Sequence, residues 1–180
     1  MITIMSENIA ELLVKRAQKR RVLEKGTFLF HEGDVVQSVF VIEAGVVELT
    51  RPQIDGFSVT LQRAGELKVL AEASVYSDIY HCDAVVVSSA IVRQLSKATF
   101  LAHLREDEHF SHLWSAHLAK EVQSARYRSE ILSKKTVRER LDAWLAFVGN
   151  ELPAKGRWKN LASQLGVSPE ALYRELSRRK

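Results

Sequence analysis

The segment LASQLGVSPEALYR, residues 161–174, has the residue types that two short helices joined by a tight turn require. Ala162 is small enough for a second helix to pack closely. Gly166, four residues later, can adopt a turn conformation that is closed to residues with a β-carbon. Ser168 is a favourable helix N-cap, and Pro169 suits the first helical turn, where a missing N–H has no helical partner. The segment therefore predicts a helix-turn-helix. Its small core is then formed by Leu161, Leu165, Val167 and Leu172.

This arrangement leaves polar side chains on the outer face of the second helix, from which a recognition helix reads base edges in the major groove. Arginine offers a bidentate fork to guanine, and glutamate offers an acceptor to cytosine N4. The predicted DNA-binding residues are Lys159, Ser168, Glu170, Tyr173, Arg174 and Arg178. Three further basic residues are placed to contact phosphates: Arg157, Arg179 and Lys180. A plain helical hairpin with a basic surface is the alternative interpretation.

The charge of the chain is concentrated around this segment. Residues 134–180 contain 11 Lys and Arg but only 5 Asp and Glu, although the whole chain has 26 and 22. A local basic excess is typical of modules that bind polyanions, because neutralising phosphates releases condensed counterions. The distribution therefore favours double-stranded DNA as the partner of the C-terminal quarter.

The composition limits the other possibilities. With 180 residues, 46% hydrophobic and 27% charged, the chain can bury a core and is unlike a disordered one. The single cysteine, Cys82, excludes an intramolecular disulfide and a zinc ribbon within one chain. The charged segment 1–21 has no signal-peptide core, and no apolar run is long enough for a membrane helix. We therefore expect a cytoplasmic protein without membrane contact.

The remaining chain divides by hydrophobic period. Residues 7–23 have helical spacing and predict a short amphipathic helix. From Thr27 to Leu95 short apolar segments alternate with turn residues and predict an antiparallel sandwich or roll. The predicted turns lie at Gly26, Gly33-Asp34, Gly45, Asp55-Gly56 and Gly65, of which Asp55-Gly56 is the clearest hairpin turn.

Helical spacing returns after Leu95. One apolar stripe runs along residues 110–132, a helix longer than a small roll needs for cover, so we expect it to pack against the same helix of a second chain. The predicted dimer interface is Phe110, Trp114, His117, Leu118, Val122 and Ala125. Ser133 is the predicted cap of a further helix over residues 134–147, which ends near Gly149.

The sequence resembles the Crp/Fnr family of bacterial regulators, to which the cyclic-AMP receptor protein belongs. The resemblance rests on Lys25-Gly26 and Glu32-Gly33-Asp34, on Gly45 to Leu49, on Ala64 to Tyr76 and on the helix-turn-helix, in which Glu170 and Arg174 match the family's Glu-x-x-x-Arg reading pattern. An arginine that the cyclic-AMP receptor has at the position of Pro169 is absent.

The resemblance implies an α+β homodimer with a double-stranded β-helix, or jelly roll, of the cyclic-nucleotide-binding type. The expected domains are a sensor over residues 1–109, a dimerisation helix over 110–133 and a helix-turn-helix domain over 134–180. The family adds a β-hairpin wing after the recognition helix, and the sequence stops at Lys180, before such a wing; a natively wingless protein and a shortened chain both stay open. RNA polymerase is left as an open partner.

The sensor site departs from the family pattern. The family's cyclic-nucleotide binders have a Gly-Glu pair and then an Arg-Ser pair, in which the arginine neutralises the cyclic phosphate. Here Ala71-Glu72 replaces the first pair and Cys82-Asp83 replaces the second, which removes a cation and adds an anion. The predicted effector pocket is Glu72, Ser74, Cys82, Asp83 and Arg126, without a cofactor, and we predict that cyclic AMP is not its ligand.

Two other classes stay open: a β-roll sensor or interaction protein with a vestigial DNA module, and a jelly-roll metalloenzyme. The candidate metal ligands of the second are His31, Glu72, His81, Cys82 and Asp83. The His-x-His pair typical of such metal sites is missing, and no catalytic motif is present, so we predict no enzyme activity. Cys82 could sense redox, but a buried thiol behaves mostly as a small hydrophobe.

Overall fold

The computed structural model describes residues 8–54, 58–70 and 72–179. The chain forms two compact units, Met1–Leu118 and Ala119–Lys180. The first unit is a β-roll with helices, and the regular elements described in the second unit are all helices. The long helix α3 contributes to both.

Strands dominate the first unit. Its elements are helix α1 (Ile9–Arg16), strands β1 (Lys19–Leu23), β2 (Phe28–Phe30), β3 (Ser38–Pro52), β4 (Ser58–Ala64), β5 (Val69–Leu70) and β6 (Asp83–Ser96), helix α2 (Lys97–Glu106) and the start of α3 (Glu108–Ser133). The strand order is β1-β6-β3-β4, with β2 paired to β6 and β5 to β3, all antiparallel. This is an antiparallel roll of the cyclic-nucleotide-binding type followed by helices, which confirms the predicted fold class.

Both faces of the roll are covered where β3 begins. Successive strand residues point to opposite faces, so Phe40 and Ile42 fill the inside of the roll. Val39 and Val41 pack on the outside against α1, α2 and the start of α3. Double burial explains why this part of β3 is apolar without alternation.

The predicted helix over residues 7–23 is half right. Helix α1 buries Ile9, Leu12 and Leu13 as expected. It ends at Arg16, however, and Lys19–Leu23 is an edge strand paired with β6. The spacing of the residues before KRRVL extended the predicted helix over this run, but pairing with β6 satisfies its backbone groups and makes it a strand.

Gly45 lies within β3 and does not form the predicted turn. It has φ +87°, and the register against β6 shifts on both sides of it, as in a β-bulge. A β-carbon at this position would lie 2.3 Å from the Ser89 carbonyl oxygen. Glycine is therefore required here by positive φ and by close approach of the neighbouring strand. The predicted turn at Asp55-Gly56 lies outside the described residues.

The second unit contains the end of α3, then α4 (Val137–Val148), a short 3-10 turn (Lys155–Arg157), α5 (Trp158–Gln164) and α6 (Pro169–Arg178). Helix α4 begins later than predicted. Thr136, not Ser133, is its N-cap, and Thr136 and Glu139 form a reciprocal capping box. Ser133 is the last residue of α3, and its hydroxyl donates to the Glu130 carbonyl oxygen at 2.7 Å. The helix ends at Gly149, which has φ +95°.

Candidate nucleic-acid interface and effector cassette

Helices α5 and α6 form the predicted helix-turn-helix. Gly166 has φ +62° in the turn, and the Ser168 hydroxyl accepts a hydrogen bond from the Ala171 N–H at 3.2 Å. Pro169 occupies the first turn of α6. The Val167 N–H donates to the Ala162 carbonyl at 3.0 Å, which joins the turn to α5. Four of the residues that fill the core are almost fully buried: Leu161, Ala162, Leu165 and Leu172.

The outer face of α6 has the composition of a DNA-reading surface. Glu170, Tyr173, Arg174 and Arg178 are all exposed along it. In the part of the chain that the structure describes, no ion pair joins Arg174 or Arg178 to a carboxylate. These two guanidinium groups are therefore available to an external acceptor.

Glu170 remains ionised at the start of α6. Its pKa is lowered first by its own backbone N–H, then by the Ser168 hydroxyl, and also by the charge of Lys159. A carboxylate at a helix N-terminus is stabilised by the orphan amides and the helix dipole. The structure thus brings four predicted residues, Lys159, Ser168, Glu170 and Arg174, to one exposed area around the start of α6.

A cleft of about 690 Å³ lies between α6 and the N-terminal end of α4. The charged residues that line it are Arg138, Asp142, Arg174, Glu175, Arg178 and Arg179. Four arginines against two carboxylates leave the cleft basic. The basic surface therefore extends from the outer face of α6 to α4, which was not predicted as part of the interface.

Arg179 does not serve as the predicted phosphate contact. Its guanidinium donates to Asp142 Oδ1 at 2.7 Å, to Glu175 Oε1 at 2.9 Å and to the Arg138 carbonyl oxygen at 3.2 Å. Burial lowers the pKa of Arg179, but the bonds to both carboxylates outweigh it and raise the pKa overall. This side chain holds the end of α6 against α4. Lys180 lies outside the described residues.

Arg140, on α4, is a residue that the sequence analysis did not single out. Its guanidinium donates to four backbone carbonyl oxygens, which belong to Leu132, Lys134, Leu165 and Gly166. The acceptors lie at the end of α3 and in the turn of the helix-turn-helix. No sequence signal marks these partners, because up to 26 residues separate them from Arg140.

Four of the predicted effector residues lie in one segment of the β-roll. Glu72 opens a short 3-10 turn, and the buried Ser74 bonds His81 Nδ1 at 2.9 Å. Cys82 is only 2% exposed and lies among the apolar side chains inside the roll. Burial raises the pKa of the Cys82 thiol, so it behaves as a small hydrophobe. The fifth predicted residue, Arg126, belongs to the second unit.

The Asp83 carboxylate is bound by its own chain. Its Oδ1 accepts the Glu32 N–H at 2.8 Å and lies 3.5 Å from His31 Nδ1. Arg51, which was not predicted, donates to the His81 carbonyl oxygen at 2.9 and 3.2 Å. Arg51 is close enough to lower the pKa of the Cys82 thiol against the larger effect of burial. A cation therefore lies beside this segment, although it comes from β3.

The predicted dimer stripe is divided by the structure. Phe110 and Trp114 are buried within the first unit, where both pack edge-on against Phe100 at centroid distances of 5.3 and 4.7 Å. Their assignment to an interface with a second chain is wrong, because their own chain already covers them. His117 and Leu118 are half-buried, whereas Ala125 is exposed and Val122 is 48% exposed.

Within residues 8–54, 58–70 and 72–179, no group of three or more His, Cys, Asp or Glu side chains is arranged to hold a metal ion. No helix in these ranges combines the length and apolar character that crossing a membrane requires.

Comparison with known proteins agrees with this architecture. The cyclic nucleotide-binding domain family matches residues 20–107. The cyclic AMP receptor protein of Thermus thermophilus is 26% identical over 166 residues, which is 88% of this chain and 75% of that protein. FixK2 from Bradyrhizobium japonicum has a TM-score of 0.70 at 19% identity, over 89% of this chain and 83% of that one. The c-di-GMP responsive global regulator CLP of Xanthomonas campestris has a TM-score of 0.67 at 16% identity, over 94% and 89%.

In this chain a β-roll of the cyclic nucleotide-binding type is followed by a helix-turn-helix. Residues 20–107 match the cyclic nucleotide-binding domain family, and the chain is similar over most of its length to Crp/Fnr-type transcription regulators.

Proposed function

We propose that this chain is a cytoplasmic, homodimeric transcription regulator that reads DNA with α6 and does not use cyclic AMP as its effector. The observation that carries the proposal is the exposed face of α6, on which Glu170, Arg174 and Arg178 stand clear of the buried core. We assign the sensor to residues 1–109, the dimerisation helix to 110–133 and DNA binding to 134–180. RNA polymerase is the natural protein partner of such a regulator.

DNA reading follows from the chemistry of this face. Arg174 lies one helical turn beyond Glu170, so both side chains can enter the major groove together. Arg174 would donate to guanine O6 and N7, and the ionised Glu170 would accept from cytosine N4. Lys159 on α5 and Arg138 at the start of α4 would contact phosphates, which fixes register without reading sequence.

Dimerisation through α3 would place two such faces on one duplex. The helix has 26 residues and is about 39 Å long. With Phe110 and Trp114 buried in their own chain, the proposed contact is formed by His117, Leu118, Val122 and Ala125. A twofold axis there makes the contact self-complementary, so the same four residues serve both chains.

The proposal against cyclic AMP rests on the segment around Cys82 and Asp83. A cyclic phosphate needs cations and free N–H donors, whereas this segment presents a buried thiol and a carboxylate. Arg51 is a cation beside this segment, but two of its N–H groups are already bonded to the His81 carbonyl. The names of the relatives mention cyclic AMP for one and c-di-GMP for another, so the fold does not fix the ligand. An effector of this site would be neutral or cationic, or would bring its own metal.

Selection from a pool of randomised duplexes tests the DNA-binding proposal. The full chain should enrich an inverted repeat whose half-site centres lie about one helical turn, ~34 Å, apart. Enrichment of no sequence above the input pool would contradict it. That result would favour a β-roll sensor or interaction protein with a vestigial DNA module.

A further inference from the structure

One guanidinium group connects two helix ends in the second unit. Arg140 Nη2 donates to the Leu132 carbonyl oxygen at 3.2 Å and Nε donates to that of Lys134 at 3.0 Å. Its Nη1 donates to the carbonyl oxygens of Leu165 and Gly166, each at 3.0 Å. The first pair of acceptors lies at the C-terminal end of α3. The second pair lies between the end of α5 and the start of α6.

The Leu132 acceptor is one of the last carbonyl oxygens of α3, and the other three acceptors lie just beyond the ends of α3 and α5. The last carbonyl oxygens of a helix have no partner within it and carry the negative end of its dipole. A permanently charged, planar group with five N–H donors can serve two such ends at once. Lysine keeps the charge but lacks the rigid fork, so it cannot reproduce both pairs of bonds.

The two ends are also in close contact. A β-carbon on Gly166 would lie 2.7 Å from Leu132 Cδ2 and 3.3 Å from Arg140 Nη1. Gly166 therefore lets the turn approach the end of α3 closely enough for Arg140 to bridge them. The turn leads directly into α6, so its position fixes where the reading face begins.

We propose that Arg140 is the positioning residue that locks the helix-turn-helix against the end of α3 and thereby sets how selectively α6 reads DNA, without contacting the DNA itself. The selectivity part rests on the proposed DNA-binding function. The lock can be measured without DNA.

Three variants separate this role from charge and from folding. Arg140→Gln removes the charge and the fork, and Arg140→Lys removes only the fork. Arg128→Gln is the matched control, because Arg128 is an exposed arginine of α3 in the same unit. For each variant we would measure affinity for the selected site and for a random duplex over a range of salt concentrations. Amide hydrogen exchange would be followed at Gly166 and Val167, whose N–H groups bond within the turn at 3.1 and 3.0 Å.

Displacing α6 should cost at least one base contact. We therefore expect Arg140→Gln and Arg140→Lys to lower the ratio of selected-site to random-duplex affinity about tenfold. The salt slope should stay unchanged, since no phosphate contact is lost. Exchange at Gly166 and Val167 should accelerate in both variants, and Arg128→Gln should match the wild type in every respect.

The proposal is overturned if Arg140→Gln keeps the wild-type ratio and exchange rates, or if Arg140→Lys restores both. A fall in salt slope of about one unit with Arg140→Gln would instead identify Arg140 as a phosphate contact. If Arg140→Gln does not fold, Gly166→Ala disturbs the same contact from the other side and should lower the ratio and accelerate exchange in the same way. If the wild type itself shows no sequence preference, the proposed function fails while the exchange measurements still decide whether the lock exists.

Discussion

The segment around Asp83 and the outer face of α6 use their charged groups in opposite ways. In the β-roll, Asp83 is bonded to the Glu32 N–H, and Arg51 is bonded to the His81 carbonyl. On α6, Arg174 and Arg178 are exposed, and no carboxylate of the described residues pairs with them. A charge that is bonded within its own chain mainly stabilises that chain, whereas a charge left in solvent is ready for a partner. The difference supports the proposal that α6 is the recognition surface.

The largest expected effect is on the stability of the β-roll, which does not depend on the proposed reading face. Gly45→Ala forces positive φ on alanine and drives its β-carbon into the Ser89 carbonyl, so we expect a loss of about 4 kcal/mol of unfolding free energy. Gly33→Ala is the matched control: Gly33 also has positive φ, +88°, but no atom lies within 4 Å of an added β-carbon. That variant should lose only about 1 to 2 kcal/mol.

Urea denaturation followed by far-UV circular dichroism would measure the unfolding free energy of both variants. Equal losses in the two would show that close approach of β3 and β6 at Gly45 does not matter, and would contradict the assignment of this glycine.

The next effect concerns the helix that would pair two reading faces. Val122→Asp should place two like charges at the proposed twofold contact and weaken dimerisation by about 3 kcal/mol. Sedimentation equilibrium at micromolar concentration would detect the shift to monomer. Val22→Asp is the control, because Val22 is 69% exposed on the edge strand β1, away from α3 in sequence. A dimer that survives Val122→Asp would place the interface elsewhere.

The smallest effect is expected in the roll itself. Titration calorimetry with cyclic AMP and cyclic GMP should show no binding tighter than about 1 mM, which is about −4 kcal/mol. Asp83 keeps its bond to Glu32 in this outcome. Micromolar affinity for either nucleotide would contradict the comparison, since it would show that the segment rearranges to free cations for a phosphate.

The features that could be predicted from sequence are those with local causes. Gly166, Ser168 and Pro169 determine the conformation of their own turn and helix, and the sequence predicts the role of each. The capping box of Thr136 and Glu139 could also be predicted, because a Thr followed three residues later by a Glu is a sequence signal. The prediction of Ser133 as the cap placed the start of α4 at residue 134 rather than at Val137.

Features that depend on distant partners could not be predicted. The run KRRVL became a strand because β6 lies beside it. Phe110 and Trp114 have the spacing of an interface, and only the position of Phe100 shows that their own chain buries them. Arg51 and Arg140 act on carbonyl groups that are 30 and up to 26 residues away. Spacing identifies a face of a helix, but it does not identify what covers that face.

The most direct test of the account is a pair of variants in the proposed DNA interface, one on α6 and one on α5. Arg174→Ala should cost about 1 to 3 kcal/mol on the selected site and relax the preference at one base pair of each half-site. Lys159→Ala should instead weaken binding to all sequences alike and lower the salt slope by about one unit. If Arg174→Ala leaves the base preference unchanged in a randomised-site selection, α6 is not the reading helix and the account is wrong.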